Sequence, residues 1–357
     1  MQMKITFVTS TLTSGGSERV ISILANELSK RKHVVEIISL NKHIVFYKIE
    51  DNVKLSFAKD ETNDGGIIRR MSWLRKHIKD SKPDVVIPFM EAVYCVTLLS
   101  LVGLKVPVVS SERIDPRRSP FLRNVLRRII LPLTTHLVVQ TEDIKRFYPT
   151  FIQKKTSVVY NPVTDVVYGL PVTKKKNIVV SVGRLYIQKN QKMLIDAFAG
   201  IAKEFENYNL IIYGEGPLRG ELEKQIKNKG LEGRVLLPGA IDNVLDKLNE
   251  AKIFCLSSNY EGMSNALIEA ICVGLPVIST RVSGVDELIK THENGEIVNI
   301  GDTITLTKTL RSLLLDENRM KAYGIRNKQM SEIFKTENIV NQWESLLKGV
   351  IENYGQR

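Results

Sequence analysis

Short apolar runs alternate with helical segments along the whole chain, and this alternation restricts its fold more than any other feature. Strands are expected at Lys4–Ser10, Val34–Leu40, Val53–Phe57, Val85–Pro88, Val106–Ser110, Leu137–Gln140 and Ser157–Tyr160, with helical periodicity between most of them. The pattern then restarts at Ile178–Val182, Leu210–Tyr213, Val235–Leu237, Ile253–Ser257, Pro276–Thr280 and Ile297–Ile300. Strands separated by helices imply parallel sheets covered on both faces, an α/β protein. A chain of 357 residues suits two such domains. Asn161-Pro162-Val163 ends the first set, and Gly169-Leu170-Pro171 followed by Lys174-Lys175-Lys176 reads as a linker. Two Rossmann-like domains are expected, 1–168 and 174–335, followed by a last helix from Thr336.

The chemistry concentrates in Ser258–Thr280, SNYEGMSNALIEAICVGLPVIST. A strand leads into the small, polar run Gly262-Met263-Ser264-Asn265, and a helix begins after a Ser264 cap. The unpaired N–H groups at such a helix start favour phosphate. Glu269, on the first turns of the helix, would be repelled by phosphate and suits ribose or sugar hydroxyls. Glu261, in the loop, suits hydroxyls at the other end of the ligand. A nucleotide diphosphate joined to a sugar satisfies both requirements.

Two other strand-to-helix loops fit that ligand. Gly183-Arg184 and Lys189 lie on one loop, so both cations can converge on a diphosphate. Gly15-Gly16, between the first strand and its helix, lets backbone approach a ligand closely. Gly214-Glu215-Gly216 follows a strand as a dinucleotide motif would. The third glycine, Gly220, is one place late, however, and the next strand lacks the expected acid, which disfavours nicotinamide binding.

Glu261-Gly262, Glu269-Ala270 and Gly274-x-Pro276-Val277-Ile278 resemble the E-x7-E signature of glycosyltransferase family 4. Gly15-Gly16-Ser17-Glu18-Arg19 resembles that family's glycine loop, and Gly183-Arg184 with Lys189 its phosphate-binding element. The resemblance implies the GT-B fold, two Rossmann-like domains facing across a cleft, with the terminal helix 336–357 crossing back to the first. It implies a retaining sugar transferase with Glu261, Arg184 and Lys189 in catalysis. Gly15, Gly16, Gly183, Arg184, Lys189, Glu261, Gly262, Met263, Ser264, Asn265 and Glu269 would bind a donor, expected to be a uridine diphosphate sugar. The acceptor would be a lipid-linked or growing glycan in cell-surface polysaccharide assembly. A GT-B sugar-nucleotide epimerase or phosphorylase is the alternative within enzymes.

Ser110-Ser111-Glu112-Arg113 follows a strand and is expected at the cleft. Many relatives carry a histidine near this point. Glu112 and Arg113 are further candidates here, Arg113 as partner of an acceptor phosphate or of Glu112. None of His33, His43, His77, His136 and His292 offers a substitute, so no catalytic histidine is assigned. No Asp-x-Asp occurs, so neither a metal nor another cofactor is expected.

The net charge of +12 is uneven, with 26 Lys and Arg against 16 Asp and Glu in residues 1–165. That half is expected to meet an anionic partner, a membrane surface or a nucleic acid. Ile67–Lys79 is basic, and Arg117–Leu131 pairs Arg117, Arg118, Arg123, Arg127 and Arg128 with an apolar stripe, as an interfacial helix does. If the stripe instead packs on the sheet, the arginines are merely solvated. A nucleic-acid surface would interleave aromatics with the cations, and this segment holds only Phe121, so no nucleic acid is expected. The longest uncharged apolar tract, Ala92–Leu104, has 13 residues, too few to cross a bilayer. Cys95, Cys255 and Cys272 sit singly in apolar runs, which suits a reducing compartment. The expected location is cytoplasmic, peripheral on the inner membrane face.

Overall fold

The computed structural model describes residues 1–13, 15–41, 44–62, 66–171 and 174–356, so Ser14 of the glycine loop and His43 lie outside the described residues. The chain forms two compact units, Met1–Pro162 with Thr336–Arg357, and Val163–Lys335. Residues 163–168, read from the sequence as part of the first domain, pack with the second. Val163 N donates to Phe334 O, and the Tyr168 hydroxyl donates to Ser331 O.

In the first unit, β1 (Lys4–Thr9), β2 (Val34–Ser39), β3 (Lys54–Phe57) and β4 (Val85–Pro88) form a parallel sheet in the order β3-β2-β1-β4. A second parallel group, β5 (Val109–Ser111), β6 (His136–Val139) and β7 (Thr156–Val158), adjoins β4 through bridges at Val86–Val108 and Phe89–Ser111. Parallel neighbours need crossover connections, which bury both sheet faces. One face packs Ile5, Phe7 and Ile87 on the Gly16–Lys30 helix and on Ile339, Trp343 and Leu347 of the terminal helix Thr336–Gly355. The other packs Val8, Ile38 and Val86 on Leu74, Ile78, Tyr94 and Leu98. The terminal helix is thus part of the first unit's core.

The second unit holds one six-stranded parallel sheet. Its strands are β8 (Ile178–Val182), β9 (Asn209–Tyr213), β10 (Val235–Gly239), β11 (Ile253–Leu256), β12 (Val277–Thr280) and β13 (Gly295–Val298). The order is β10-β9-β8-β11-β12-β13, so the winding reverses between β8 and β11, which pair at Ile253–Val179 and Phe254–Val180. Ligands of open α/β sheets bind beyond the carboxyl ends of the strands at such a reversal. The loops that follow β8 and β11 are those that carry Arg184, Lys189 and Glu261. No helix among the described residues is long and apolar enough to cross a membrane.

Candidate functional site

The two loops are stitched together. Asn259 N donates to Gln188 O at 2.7 Å and its side-chain amide to Ile187 O at 2.8 Å. Ser257 Oγ donates to Lys189 O at 3.0 Å, and the Asn190 amide to Asn259 Oδ1 at 3.0 Å. Asn190 takes a left-handed backbone conformation, φ 46°, which asparagine tolerates better than most side chains. Backbone bonds also hold Gly183–Leu185: Gly183 N donates to Tyr213 O and Leu185 N to Glu215 O. A Cβ at Gly214 would lie 2.1 Å from Gly183 O, and one at Gly216 2.3 Å from Leu185 O. The Gly214-x-Gly216 pair is therefore explained by its close approach to the 183–185 loop.

Within this frame Lys189 Nζ lies 2.6 Å from Glu261 Oε1. Ser258 Oγ donates to the same oxygen at 2.7 Å, and the Gln188 amide to Oε2 at 3.2 Å. Both Lys189 and Glu261 are largely buried, so the pair is oriented by its surroundings. A Cβ on Gly183 would press on the Lys189 stem, so glycine leaves the stem its path. Arg184 is exposed and makes no ion pair with any described residue. Ser264 caps the Asn265–Val273 helix by accepting from Leu267 N, Gly262 and Met263 are buried beside it, and Glu269 is buried on the helix. Gln188 and Asn259 escape a motif reading because they act on the backbone and side chains of residues about 70 positions away.

In the first unit Gly15 and Gly16 open the Gly16–Lys30 helix. The Glu18 carboxylate folds back on them, accepting from Ser17 Oγ at 2.6 Å and Thr11 Oγ1 at 3.3 Å. A Cβ on Gly15 would strike it at 2.2 Å. The positive end of this helix already faces an anion of its own. Glu18 lay inside the glycine motif, but nothing in its spacing announced that role.

Glu112 and Arg113, expected at the cleft, are both buried. Glu112 accepts from the hydroxyls of Tyr94 at 2.9 Å and Tyr148 at 3.1 Å, with Arg127 Nε at 3.3 Å. Burial pushes its carboxyl up against the opposing pull of Arg127. Arg113 does not pair with Glu112. Its Nη1 donates to Asn161 Oδ1 at 2.8 Å, and its guanidinium lies 4.5 Å from the Phe89 ring centroid. Its Nε and Nη2 have no hydrogen-bond partner among the described residues, and burial lowers its pKa to about 9.

In the basic segment the structure sets Arg127 and Arg117 apart from the other arginines. The helix spans Phe121–Ile130, after a short 3-10 turn at Pro116–Arg118. Arg127, expected to face a membrane, is 1% exposed; it binds Glu91 Oε2 at 2.6 Å and the Tyr94 hydroxyl at 3.0 Å. Arg117 is held by Asp115 at 2.9 Å and by Asp143. Most of the apolar stripe faces outward: Phe121, Leu122 and Ile129 are 79%, 80% and 67% exposed, whereas Ile130 joins the core. Arg118, Arg123 and Arg128 are exposed beside them. This helix buries a cation and displays its apolar face because Glu91 and Glu112 lie beneath it.

Two parallel, doubly wound units, the second with a cation–carboxylate pair at its winding reversal, define the GT-B class of transferase. Residues 169–330 match the model of the glycosyl transferases group 1, and residues 14–165 that of Glycosyltransferase Family 4. The chain is 34% identical, over 98% of its length and 99% of the relative's, to a Campylobacter jejuni enzyme. That relative is the GalNAc-alpha-(1->4)-GalNAc-alpha-(1->3)-diNAcBac-PP-undecaprenol alpha-1,4-N-acetyl-D-galactosaminyltransferase. A second Campylobacter jejuni relative is 27% identical over 90% of this chain and 93% of its own. It is the N-acetylgalactosamine-N,N'-diacetylbacillosaminyl-diphospho-undecaprenol 4-alpha-N-acetylgalactosaminyltransferase. Anabaena HepE in complex with UDP superposes with a TM-score of 0.80 at 18% identity, over 97% of this chain and 100% of that one. The chain belongs to the family 4 glycosyltransferases.

Proposed function

We propose that this glycosyltransferase moves a sugar, with retention of anomeric configuration and without a metal ion, from a uridine diphosphate sugar to a lipid-linked glycan. The observation that carries this reading is the Lys189–Glu261 pair at the β8/β11 reversal. Both Campylobacter relatives are named for undecaprenol-linked diphosphate glycans, which supports the acceptor class.

The demanding event is departure of an anionic diphosphate from the anomeric carbon. In the proposed step the carbon–oxygen bond to the diphosphate breaks and its electron pair stays on the phosphate oxygen. An acceptor hydroxyl oxygen bonds to the same face, and its proton passes to that phosphate oxygen. Arg184, Lys189 and the N–H groups at the start of the Asn265–Val273 helix stabilise the departing charge, as preorganised dipoles and cations do. Two cations suit a diphosphate without an intervening metal. Glu261 accepts from sugar hydroxyls while Ser258 holds its orientation, and Glu269 takes the ribose.

The acceptor's lipid places the reaction at a membrane. The exposed apolar face of the Phe121–Ile130 helix, flanked by Arg118, Arg123 and Arg128, supports docking on the anionic inner face. The deciding experiment is calorimetric titration with nucleotide diphosphates and their sugars, with and without chelator, on wild type and Glu269→Ala. One uridine diphosphate sugar should bind with chelator present and fail to bind the variant. If no nucleotide binds, the donor site is refuted; if chelator abolishes turnover and magnesium restores it, the metal-free mechanism is.

A further inference from the structure

The second unit carries a cavity of about 620 Å³ that the proposed reaction does not use. It lies at the opposite end of the strands from the Lys189–Glu261 pair. Lys175 precedes β8, Lys252 precedes β11, and Leu275-Pro276 precedes β12, so the cavity adjoins the strands' amino ends. Its size is that of small-molecule pockets.

The walls are held rigidly. Gly274, at φ 80°, and Gly324 let the Glu317–Met330 helix press on the turn before β12; a Cβ on Gly324 would lie 2.7 Å from Gly274 O. Asn327 Nδ2 donates to Leu275 O at 2.6 Å, and Lys328 Nζ to Cys272 O at 3.0 Å. The lining is largely apolar, with Val167, Leu170, Val273, Leu275, Met320 and Ile325 contributing.

The charged groups around it are unbalanced. Lys175, Lys252, Lys321 and Lys328 line the cavity against one carboxylate, Glu317, which Lys252 meets at 3.5 Å. Lys175 gives one of its three donors to the carbonyl of Asn249, and none of Lys175, Lys321 and Lys328 has a carboxylate partner among the described residues. An apolar chamber bounded by unneutralised cations complements a molecule that is apolar along its length and anionic at one end.

We propose that this pocket binds a single alkyl or isoprenoid chain carrying a carboxylate or phosphate head. The chain lies along Val273, Met320 and Ile325, and the head meets Lys175 and Lys328. This site is independent of the sugar-transfer reading, and its test needs no substrate of that reaction.

The test is calorimetry on the full chain with hexanoate, octanoate and decanoate, and with 1-octanol as the uncharged control, all below micelle-forming concentrations. Affinity should rise roughly fourfold per methylene until the chain fills the cavity, and octanol should bind at least tenfold more weakly than octanoate. The exposed face at Phe121–Ile130 also attracts amphiphiles, so pocket variants decide. Ile325→Trp, at an exposed position, should keep the melting temperature and weaken decanoate at least tenfold. Lys175→Met with Lys328→Met should erase the preference for octanoate over octanol. Decanoate affinity unchanged in Ile325→Trp, or an octanoate preference intact in the lysine variant, overturns the proposal. Phosphatidylglycerol vesicles that displace decanoate from wild type would assign the chain to a membrane lipid; vesicles that leave its affinity unchanged would assign it to a free amphiphile.

Discussion

Lys189 Nζ and Glu261 Oε1 lie 2.6 Å apart, so the cation read as a diphosphate ligand and the carboxylate read as a sugar ligand are bound to each other. Glu261 keeps two further donors, Ser258 and Gln188, whereas Lys189 has no other side-chain partner among the described residues. The two members of the pair are therefore not equivalent. A diphosphate entering the site can draw Lys189 away while Glu261 stays held.

Lys189→Met should accordingly weaken donor binding by about 10- to 100-fold, the range for a charge-assisted hydrogen bond. Stability should fall as well, because Glu261 stays buried without its cation, held only by Ser258 and Gln188. Glu261→Gln should leave Lys189 available and donor affinity within a few-fold of wild type, while turnover falls. Calorimetry with a donor analogue and steady-state kinetics check both; equal losses of affinity in the two variants would contradict the asymmetry.

Arg127→Ala should be among the most damaging changes in the first unit. It leaves Glu112 buried beside Glu91 without its cation, and breaking a buried pair from one side costs about 3–5 kcal/mol. Arg123→Ala and Arg128→Ala, on the exposed side of the same helix, should stay within about 0.5 kcal/mol of wild type. Urea unfolding of the three variants measures the contrast.

Those three arginines also mark where the sequence stops being legible. Parallel strands are short continuous apolar runs, so β1, β4, β8, β11 and β12 could be read within a residue or two, and Ser264 announced its helix. Helical periodicity says that a segment has two faces; assigning the apolar face to the interior is an added assumption, and Phe121–Ile130 violates it. The cause lies in Glu91 and Glu112, which come from other elements and reach Arg127 only in the folded chain. The start of β13 was missed for a related reason. Gly295 reads as a turn, yet it stands in the strand opposite Val277, where a Cβ would lie 2.7 Å from Val277 O. The Lys189–Glu261 contact depends on β8 and β11 being neighbours, a property of winding order that no local spacing contains.

Gly214→Ala should destabilise the second unit by at least about 2 kcal/mol. The backbone stands at φ 146°, and the added carbon would lie 2.1 Å from Gly183 O, a backbone atom that cannot rotate aside. Because the displaced loop carries Arg184 and Lys189, donor affinity should fall with stability. Gly220→Ala, where nothing crowds the added carbon, is the control.

Glu36 supplies a pH prediction. Its burial alone would raise its carboxyl, but bonds from His77, Ser56 and Lys54 prevail and lower it from 4.5 to about 2. A carboxyl depressed in the folded state stabilises above its unfolded value and loses that contribution as pH falls through the folded one. Wild type should therefore lose on the order of 2–3 kcal/mol more than Glu36→Gln between about pH 5 and pH 2. Chemical unfolding of both proteins across that window reads the difference; parallel stability curves would refute it.

The exposed face of the Phe121–Ile130 helix makes the last prediction. Phe121, Leu122 and Ile129 contribute little to the first unit's core, so replacing Phe121 and Leu122 by serine should leave unfolding within about 0.5 kcal/mol of wild type. If the face enters a membrane, the same double variant loses the hydrophobic transfer of two large side chains, about 1.5–3 kcal/mol each. Arg123→Ala and Arg128→Ala should each cost about 1 kcal/mol of vesicle binding, an electrostatic loss that salt screens. Co-sedimentation with phosphatidylglycerol vesicles at low and high salt separates the contributions: the serine variant should bind poorly at both, and the arginine variants should differ from wild type mainly at low salt. Vesicle binding by the serine variant equal to wild type would remove this face from the membrane interface.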